Sequence, residues 1–350
     1  MNSTKVTFII VAYNSSMYID KLFEDLKNQD YDKSLIQFIL VDSVSTDNTY
    51  ALMENFKESN KELDVTILRN EKKILSSGWN IALSYATGDV VIRVDAHSEL
   101  PKDFISANVI EIEKGNYIVG GTRPSLKPKS IWSNILATVE RSKFGSGIAP
   151  YRHLQEAKHV DTIAHACYSR EVFKKVGGYD ERLIRTEDND MHYRMKEAGY
   201  KFWFSPTIKS YHYPRFSLKG MLKQKYGNGY WIGATMSIQP NCFSVRHFIP
   251  LVFVLGLIFT LGIKFIFGWD MLFNLALGSY SLLALLFTIL AIIDYDYDKK
   301  PIVGILMFFI LPFIFFINHL WYGIGTIVGL FKGPKIKNAN KKYKVPYPIK

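Results

Sequence analysis

Apolar and polar residues alternate along the first hundred positions in a way that predicts strands and helices in turn. Four runs rich in Val, Ile, Leu and Phe have the length of buried strands, and amphipathic stretches lie between them. The predicted strands cover residues 6–13, 38–41, 65–70 and 89–94, and the predicted helices cover 17–29, 46–59 and 76–87. This order predicts an α/β domain with a parallel sheet and right-handed crossovers. Ligands of such sheets bind beyond the carboxyl ends of the strands.

The chain is less regular between residues 104 and 246. Residues 165–181 predict a strand, a helix and a Gly-Gly stop, and residues 186–204 predict a helix with an acidic start and then a strand. Residues 216–238 are amphipathic, basic and aromatic. That composition is typical of a helix at a membrane interface, and an ordinary surface helix is the alternative.

Three long apolar runs follow, at 248–267, 271–293 and 301–331, and each exceeds or approaches the roughly 20 residues that cross a bilayer. The first contains Lys264 and is either a span or a re-entrant segment. The third contains Pro312 and is too long for one crossing, so we expect a span with an interfacial piece or a tight hairpin. We therefore predict a catalytic domain (1–215), an interfacial segment (216–247), a transmembrane region (248–331) and a basic tail (332–350).

Charge helps to orient this arrangement. The net charge is +11, and residues 332–350 hold seven lysines and no acidic residue. A basic tail beside a membrane span indicates a cytoplasmic location and contact with anionic lipid. A cytoplasmic catalytic domain and a cytoplasmic tail require an even number of crossings, which three apolar runs do not give directly. Nucleic-acid binding is not expected, because no corresponding motif is present.

Cysteine content and the N-terminus fit the same picture. The two cysteines, Cys167 and Cys242, are far apart and form no zinc pattern. The N-terminal apolar run is short and leads into a polar turn, so no signal peptide is expected.

Polar residues end three of the predicted strands and form the candidate site. Asp95 and His97 follow the strand at 89–94 and offer a carboxylate and an imidazole to Mn²⁺ or Mg²⁺, although a capping Asp and a surface His are the simpler interpretation. Asp42 either caps the next helix or contacts a nucleotide. The acidic cluster that includes Glu187 and Asp188 either complements a helix dipole or supplies a general base.

Taken in order, five segments resemble the family 2 glycosyltransferases. They are IIVAYN (9–14), VDSVSTDNT (41–49), SSGWNIALSYATGDVVIRVDAH (76–97), SREVFKKVGGYDE (169–181) and TEDNDMHYR (186–194). The resemblance covers about residues 5 to 235 and is greatest to bacterial exopolysaccharide enzymes of the succinoglycan glucosyltransferase type. It implies the GT-A fold, a Rossmann-like mixed sheet that binds a nucleotide-diphospho-sugar.

The resemblance also implies a role for individual residues. Asp95 and His97 would hold the Mn²⁺ or Mg²⁺ ion, and Asp188 would be the catalytic base with Glu187 beside it. Arg152 and Trp231 are candidates for acceptor contact. The implied donor-site residues are Ala12, Tyr13, Asp42, Lys73, Asn80, Arg93 and Asp95.

Two positions depart from the family pattern. Ser43 stands where most relatives carry a second acidic residue, which weakens the expected contact to the base of the nucleotide. The segment GNGYW (227–231) lies where membrane synthases of the family carry Q-x-x-R-W, and the arginine of that motif has no match here. A single sugar transfer is therefore favoured over processive synthesis.

The resemblance implies an inverting transferase that moves one sugar from a nucleotide-diphospho-sugar, a UDP-sugar in the first instance, to a hydroxyl of a lipid-linked saccharide. The expected setting is cell-surface, capsule or exopolysaccharide biosynthesis at the bacterial inner membrane, with a multi-pass anchor and other polysaccharide assembly proteins as partners. Two alternatives remain open: a polyprenyl-phosphate sugar synthase, and a non-catalytic membrane scaffold of a polysaccharide assembly complex.

Overall fold

The computed structural model describes residues 3–126, 130–146, 154–214, 217–295, 301–334 and 347. Two compact units divide the chain. The sheet unit comprises Met1–Pro124, Ala149–Tyr213 and Lys342–Lys350, and the helical unit comprises Ser125–Ile148 and Pro214–Lys341. The segment Ser125–Ile148 thus groups with the C-terminal helices, although it comes from the middle of the chain.

The helices and strands follow the predicted order. The strands are β1 (Val6–Ala12), β2 (Ile36–Asp42), β3 (Asp64–Arg69), β4 (Val90–Asp95), β5 (Ser98–Glu99), β6 (Ile118–Thr122), β7 (Lys158–Val160), β8 (Cys167–Ser169), β9 (Phe202–Lys209) and β10 (Tyr211–His212). The helices are α1 (Ser16–Lys27), α2 (Thr49–Ser59), α3 (Leu75–Tyr85), α4 (Phe104–Glu113), α5 (Ile131–Arg141), α6 (Lys143–Ser146), α7 (Arg170–Val176), α8 (Glu187–Glu197), α9 (Leu218–Thr235), α10 (Ile249–Phe267), α11 (Met271–Ile293) and α12 (Pro301–Lys332).

A mixed sheet forms the centre of the sheet unit. Among the described residues its order is β3-β2-β1-β4-β8-β6-β9-β7, and β5 pairs with β10 in a separate two-stranded ladder. The strands β3, β2, β1 and β4 are parallel, whereas β8 is antiparallel to both of its neighbours. The predicted parallel strands and the mixed α/β class are confirmed. The parallel register brings the ends of β1, β2 and β4 to one edge.

Alternation along the strands gives the sheet two buried faces. In β1, Phe8 and Ile10 enter one apolar cluster with α1 and α4, while Ile9 and Val11 enter another with α3, α7 and α8. Helices therefore cover both faces, as the continuous apolar runs require. Gly78 lets α3 approach β1, because a Cβ atom there would lie 2.6 Å from Cγ1 of Val11.

In the helical unit, α9 packs along the C-terminal half of α12 through glycines on both helices. A side chain at Gly229 would collide with the carbonyl oxygen of Tyr322, and one at Gly329 would collide with that of Tyr230. Small residues at such spacings let two helix backbones approach closely. The predicted helix at 216–238 is thus confirmed as α9, and much of its surface is covered by α12.

Three helices of the described chain are long and apolar enough to cross a membrane: Val245–Phe267, Met271–Ile293 and Ile302–Lys332. They coincide with the three apolar runs. The third run is one continuous helix with Pro312 inside it, so the tight hairpin that the sequence left open is wrong. The chain is membrane-associated.

Candidate active site

Asp42 is the last residue of β2, and its carboxylate makes polar contacts with neighbouring residues. Asp42 is fully buried, and its carboxylate accepts hydrogen bonds from the backbone N–H of Ser45 at 3.2 Å. The guanidinium of Arg69 lies 3.6 Å from Asp42. The helix cap proposed for Asp42 does not form, because α2 begins later, at Thr49. Asp42 therefore holds the loop that follows its own strand.

The neighbouring predicted donor residues occupy the same edge of the sheet. Ala12 is buried, and its carbonyl accepts a hydrogen bond from the N–H of Ser43 at 2.8 Å. Tyr13 follows it and is exposed. Lys73 is exposed in the loop between β3 and α3 and has a left-handed backbone with φ of 58°.

Asp95 ends β4 and contacts two basic side chains from distant segments. Nη2 of Arg123 donates to Oδ2 of Asp95 at 2.8 Å, and Nε2 of His165 lies 3.3 Å from the same oxygen. Burial alone would raise the pKa of Asp95, but the His165 hydrogen bond and the Arg123 charge hold it well below its usual range. Asp95 is consequently a permanent anion at neutral pH.

His165 is itself buried and tightly placed. Its Nδ1 lies 2.9 Å from Oγ of Ser210, and its backbone has a φ of 49°. Burial, together with the Arg123 charge, lowers the pKa of His165 to about 4, so the ring is neutral at physiological pH. An ionised carboxylate only accepts hydrogen bonds, which places the hydrogen of His165 on Nε2, facing Asp95.

Asp95 and His97 provide at most two protein ligands for a metal ion. Among the described residues, no group of three or more His, Cys, Asp or Glu side chains is arranged to hold one. An ionised carboxylate and a partly exposed imidazole nevertheless fit Mn²⁺ or Mg²⁺, if diphosphate oxygens and water complete the coordination. The residues present are therefore compatible with a metal that binds together with an anionic ligand.

Asp188 lies in the first turn of α8 and is bound by Arg93 of β4. Nη1 and Nη2 of Arg93 donate to the two carboxylate oxygens of Asp188 at 2.5 and 2.7 Å. Burial opposes ionisation of Asp188, but the charge and hydrogen bonds of Arg93 outweigh it and lower the pKa. The side chain of Asp188 remains 42% exposed, so the ionised carboxylate is accessible.

Aromatic residues fix the position of Arg93. Its guanidinium carbon lies 4.7 Å from the ring centroid of Trp79 and 5.4 Å from that of Tyr179. Nη1 also donates to the hydroxyl of Tyr179 at 2.9 Å. Arg93 and Asp95 are two residues apart on β4, so their side chains leave the same face of the strand.

Glu187 differs from Asp188 in every respect that affects its charge. It is 4% exposed, and its Oε2 has no hydrogen-bond partner among the described residues. Burial and then the negative charge of Asp188 raise the pKa of Glu187 to about 8. The pair therefore presents one neutral acid and one carboxylate at neutral pH.

Asn80 of α3 fixes the loop at Tyr179 through its side-chain amide. Its side-chain amide bonds to the backbone of Tyr179 in both directions, at 2.7 and 2.8 Å, and donates to Oε1 of Glu181 at 3.0 Å. All of these contacts are with the loop that carries Tyr179, whose hydroxyl accepts a hydrogen bond from Arg93. Any contribution of Asn80 to a donor pocket therefore comes through the placement of this loop.

Of the two predicted acceptor residues, one is described in the structure. Trp231 belongs to α9 in the helical unit, where its ring centroid is 5.7 Å from that of Tyr230. Lys225 of α9 is buried and donates to the carbonyl of Gly145 at 2.8 Å. Arg152 lies outside the described residues.

Sequence reasoning missed four residues that organise the site: Trp79 and Tyr179 around Arg93, and Arg123 and His165 around Asp95. Trp79 and Tyr179 lie within two of the segments that resemble the family but were assigned no role, and Arg123 and His165 belong to no local pattern. Gly120 and Gly121 precede Arg123, but a glycine pair indicates only a close backbone approach.

A mixed sheet with polar strand ends at one edge, in which Arg93 of β4 binds Asp188 of α8, is typical of a GT-A-type domain. The model of the family described as Glycosyl transferase family 2 matches residues 7–177. The chain thus carries a family 2 glycosyltransferase domain, as the motifs indicate.

Similar curated proteins come from archaea and bacteria. A dolichyl N-acetyl-alpha-D-glucosaminyl phosphate 3-beta-D-2,3-diacetamido-2,3-dideoxy-beta-D-glucuronosyltransferase of Methanococcus voltae is 24% identical over 94% of this chain and 98% of its own length. The succinoglycan biosynthesis protein ExoA of Rhizobium meliloti (strain 1021) is 28% identical over 65% of this chain and 69% of its own length.

Solved structures share the fold. The mannosyltransferase PcManGT of Pyrobaculum calidifontis, in complex with GDP-Man and Mn²⁺, has a TM-score of 0.59 at 16% identity, covering 95% of this chain and 88% of its own. Residues 1–349 of TarS from S. aureus give 0.51 at 15% identity, covering 93% and 90%. At these identities the likeness supports the fold alone.

Proposed function

We propose that this protein transfers a single sugar from a nucleotide-diphospho-sugar to a hydroxyl of a lipid-linked saccharide, with inversion at the anomeric carbon. The observation that carries the proposal is the pairing of Asp188 with Arg93 on the strand that ends in Asp95. Arg93 and Asp95 both belong to β4, so this strand positions the candidate base Asp188, through Arg93, and the candidate diphosphate site at Asp95.

In this mechanism the ionised Asp188 accepts the proton of the acceptor hydroxyl as the hydroxyl oxygen attacks the anomeric carbon. A single attack from the face opposite the leaving group inverts the configuration. The described side chains at the site would then supply positioning and charge stabilisation, and the reaction needs no covalent intermediate.

The leaving diphosphate requires positive charge. Asp95 and His97 would hold a Mn²⁺ or Mg²⁺ ion, which neutralises the diphosphate when bound. Arg123 adds a fixed positive charge 2.8 Å from Asp95. We propose that Ala12, Tyr13 and the loop that Asp42 holds contact the nucleoside.

The acceptor and the location follow from the membrane helices. A water-soluble donor needs no anchor, whereas a lipid-linked acceptor does. The archaeal relative is named for transfer to a dolichyl-phosphate-linked sugar, which supports an acceptor of this class. We propose that the sheet unit faces the cytoplasm of a bacterial cell, where nucleotide-sugars are made, in cell-surface or exopolysaccharide biosynthesis.

The decisive experiment is a donor screen on the purified protein in detergent or nanodiscs. UDP- and GDP-linked sugars are tested with Mn²⁺, with Mg²⁺ and with EDTA, and with lipid-diphosphate saccharides or polyprenyl phosphate as acceptors. We expect metal-dependent transfer to the lipid-linked saccharide. Transfer to polyprenyl phosphate would favour the synthase alternative, and the absence of donor binding would favour a scaffold.

A further inference from the structure

The role of Arg93 differs from the one that the sequence implied. The resemblance implied it as a donor-site residue, with either Lys73 or Arg93 near the phosphates. In the structure both of its terminal nitrogens are engaged by Asp188, at 2.5 and 2.7 Å. One of them also donates to the Tyr179 hydroxyl at 2.9 Å.

Two aromatic rings also lie against the guanidinium. The Trp79 and Tyr179 rings lie 4.7 and 5.4 Å from its central carbon, and the side chain is only 12% exposed. Asp188 is 42% exposed. The arginine thus lies behind the carboxylate and holds it at the surface, where an acceptor hydroxyl can reach it.

We propose that Arg93 is a positioning residue that orients Asp188 and keeps it ionised, and that it does not bind the donor phosphates. The inference rests on the proposed function in taking Asp188 as the base. A bidentate arginine fixes both the rotation of a carboxylate and its charge, which a lysine at the same place would do only in part.

The test separates kcat from donor affinity. In Arg93→Gln we expect kcat to fall roughly a hundredfold, because a general base contributes about 10²–10⁴-fold and becomes misplaced. The acid limb of the pH profile of kcat moves to higher pH, since Asp188 loses the charge that favours ionisation. The affinity for UDP or GDP stays within about threefold. Arg93→Lys recovers part of kcat.

The control is Arg170→Gln, which removes an arginine that donates to the carbonyl of Thr87. It should leave the pH profile unchanged. A large loss of nucleotide affinity in Arg93→Gln, with the acid limb in place, would overturn the proposal and restore Arg93 as a phosphate ligand.

A measurement without turnover keeps the two proposals separate. Thermal unfolding of Arg93→Gln, Asp188→Asn and the double variant should be non-additive, with the double variant less destabilised than the sum of the single changes. Additive effects would contradict the pairing. A wild-type protein that transfers no sugar would count against the proposed function, while the unfolding cycle still decides the role of Arg93.

A second inference concerns α10 and rests on contacts within the helical unit. The start of α10 lies beside the C-terminal half of α12, because a side chain at Gly323 would collide with the carbonyl oxygen of Pro250. The ring centroid of Phe253 is also 5.8 Å from that of Phe316. The beginning of α10 and residue 323 of α12 are therefore at one level.

The helices α11 and α12 run in opposite directions. The hydroxyl of Tyr280 lies 2.9 Å from Nδ1 of His319, and further along α11, Ala291 shares a buried cluster with Val303 and Met307. The first residues of α11 consequently lie at the level of the C-terminal half of α12. Only residues 268–270 join them to α10.

Both ends of α10 thus lie beside the C-terminal half of α12. Phe253, near the start of α10, has its ring centroid 4.5 Å from that of Tyr280, and Lys264, near its end, has Nζ 5.4 Å from the ring centroid of Phe273. These two contacts on α11 are seven residues apart, a rise of about 10 Å, so α10 runs obliquely to α11. A helix of 19 residues is about 28 Å long, whereas three linking residues span at most about 14 Å between their neighbours. We infer that α10 lies in one leaflet without crossing the bilayer, and that α11 and α12 alone cross it. Within α10 only Val254 is buried, so the apolar surface of this helix contacts lipid.

Cysteine labelling tests this topology. In a Cys242→Ser background, Asn241→Cys, Trp269→Cys and Asp294→Cys are labelled with a membrane-impermeant maleimide in sealed vesicles of each orientation. We expect Asp294→Cys to react from the side opposite to Asn241→Cys, and Trp269→Cys to react from the same side or only after solubilisation. If α10 crosses the bilayer, Asp294→Cys and Asn241→Cys are labelled from one side, which would overturn the inference.

Discussion

The guanidinium of Arg123 lies 2.8 Å from Oδ2 of Asp95, although 28 positions separate the two residues in the sequence. Nε of Arg123 is buried and has no hydrogen-bond partner among the described residues. The arginine thus offsets the charge of the carboxylate that is expected at the diphosphate. The pair is neutral overall, with the positive charge of Arg123 held beside the carboxylate of Asp95.

Arg123→Gln should weaken binding of the nucleotide-sugar. A charged hydrogen bond contributes about 1.5–3 kcal/mol, so the dissociation constant of the donor should rise roughly tenfold or more. Isothermal titration calorimetry with UDP and GDP, in the presence of Mn²⁺, measures the change. Arg170→Gln is the control, and an unchanged affinity in Arg123→Gln would place this charge outside the donor site.

Asp188→Asn should lower turnover by about 10²–10⁴-fold, since it removes a general base while keeping the size of the side chain. Donor affinity should change little. Radiolabelled sugar transfer to a lipid-linked saccharide gives the rate. A variant that turns over nearly as fast as the wild type would indicate an acceptor that is already ionised, such as a lipid phosphate.

Changes at His97 test its role as a metal ligand. His97→Ala should raise the Mn²⁺ concentration for half-maximal activity about tenfold or more, and His97→Asp should shift the preference towards Mg²⁺, because oxygen ligands suit the harder ion. Activity measured against the concentration of each metal shows both effects. Intact metal dependence in His97→Ala would leave Asp95 as the protein ligand.

Glu187 couples stability to pH. Burial, followed by the charge of Asp188, raises the pKa of Glu187 from 4.5 to about 8. Between these values the folded protein keeps a proton that the unfolded chain releases, so the free energy of unfolding falls as pH rises through this window. In Glu187→Gln this contribution is absent. Its melting temperature should therefore gain on that of the wild type as pH rises, and parallel curves would contradict the assignment.

Gly329 should be intolerant of a larger side chain. Gly329→Leu forces α12 away from the carbonyl of Tyr230, and overpacking of this kind costs about 1–3 kcal/mol or more. Gly256→Leu is a matched control on α10, where an added Cβ meets no atom within 4 Å. Thermal unfolding in detergent should show a loss of stability for the first variant only. Equal stability of both would mean that α9 and α12 are not closely packed.

The sequence by itself determined the elements and their order. Apolar runs such as Val6–Ala12 are strands because every residue is buried, and α10 to α12 are helices because an apolar segment in lipid must satisfy its own backbone. The positions of Asp95 and Asp188 at a strand end and a helix start followed from the same local signals. These features depend on neighbours within a few residues, which a linear pattern records.

The tertiary structure alone decided which charges meet. Arg93 is 95 positions from Asp188, and His165 is 70 positions from Asp95. The resemblance implied Arg93 as a donor-site residue, whereas the fold turns it towards α8, where Trp79 and Tyr179 pack against it. Such pairings are set by strand order and by the register of β1, β4 and β8, and neither periodicity nor composition encodes them. The same holds for α10: its composition allows a crossing, and only its contacts with α11 and α12 and the short link to α11 place both of its ends beside the C-terminal half of α12.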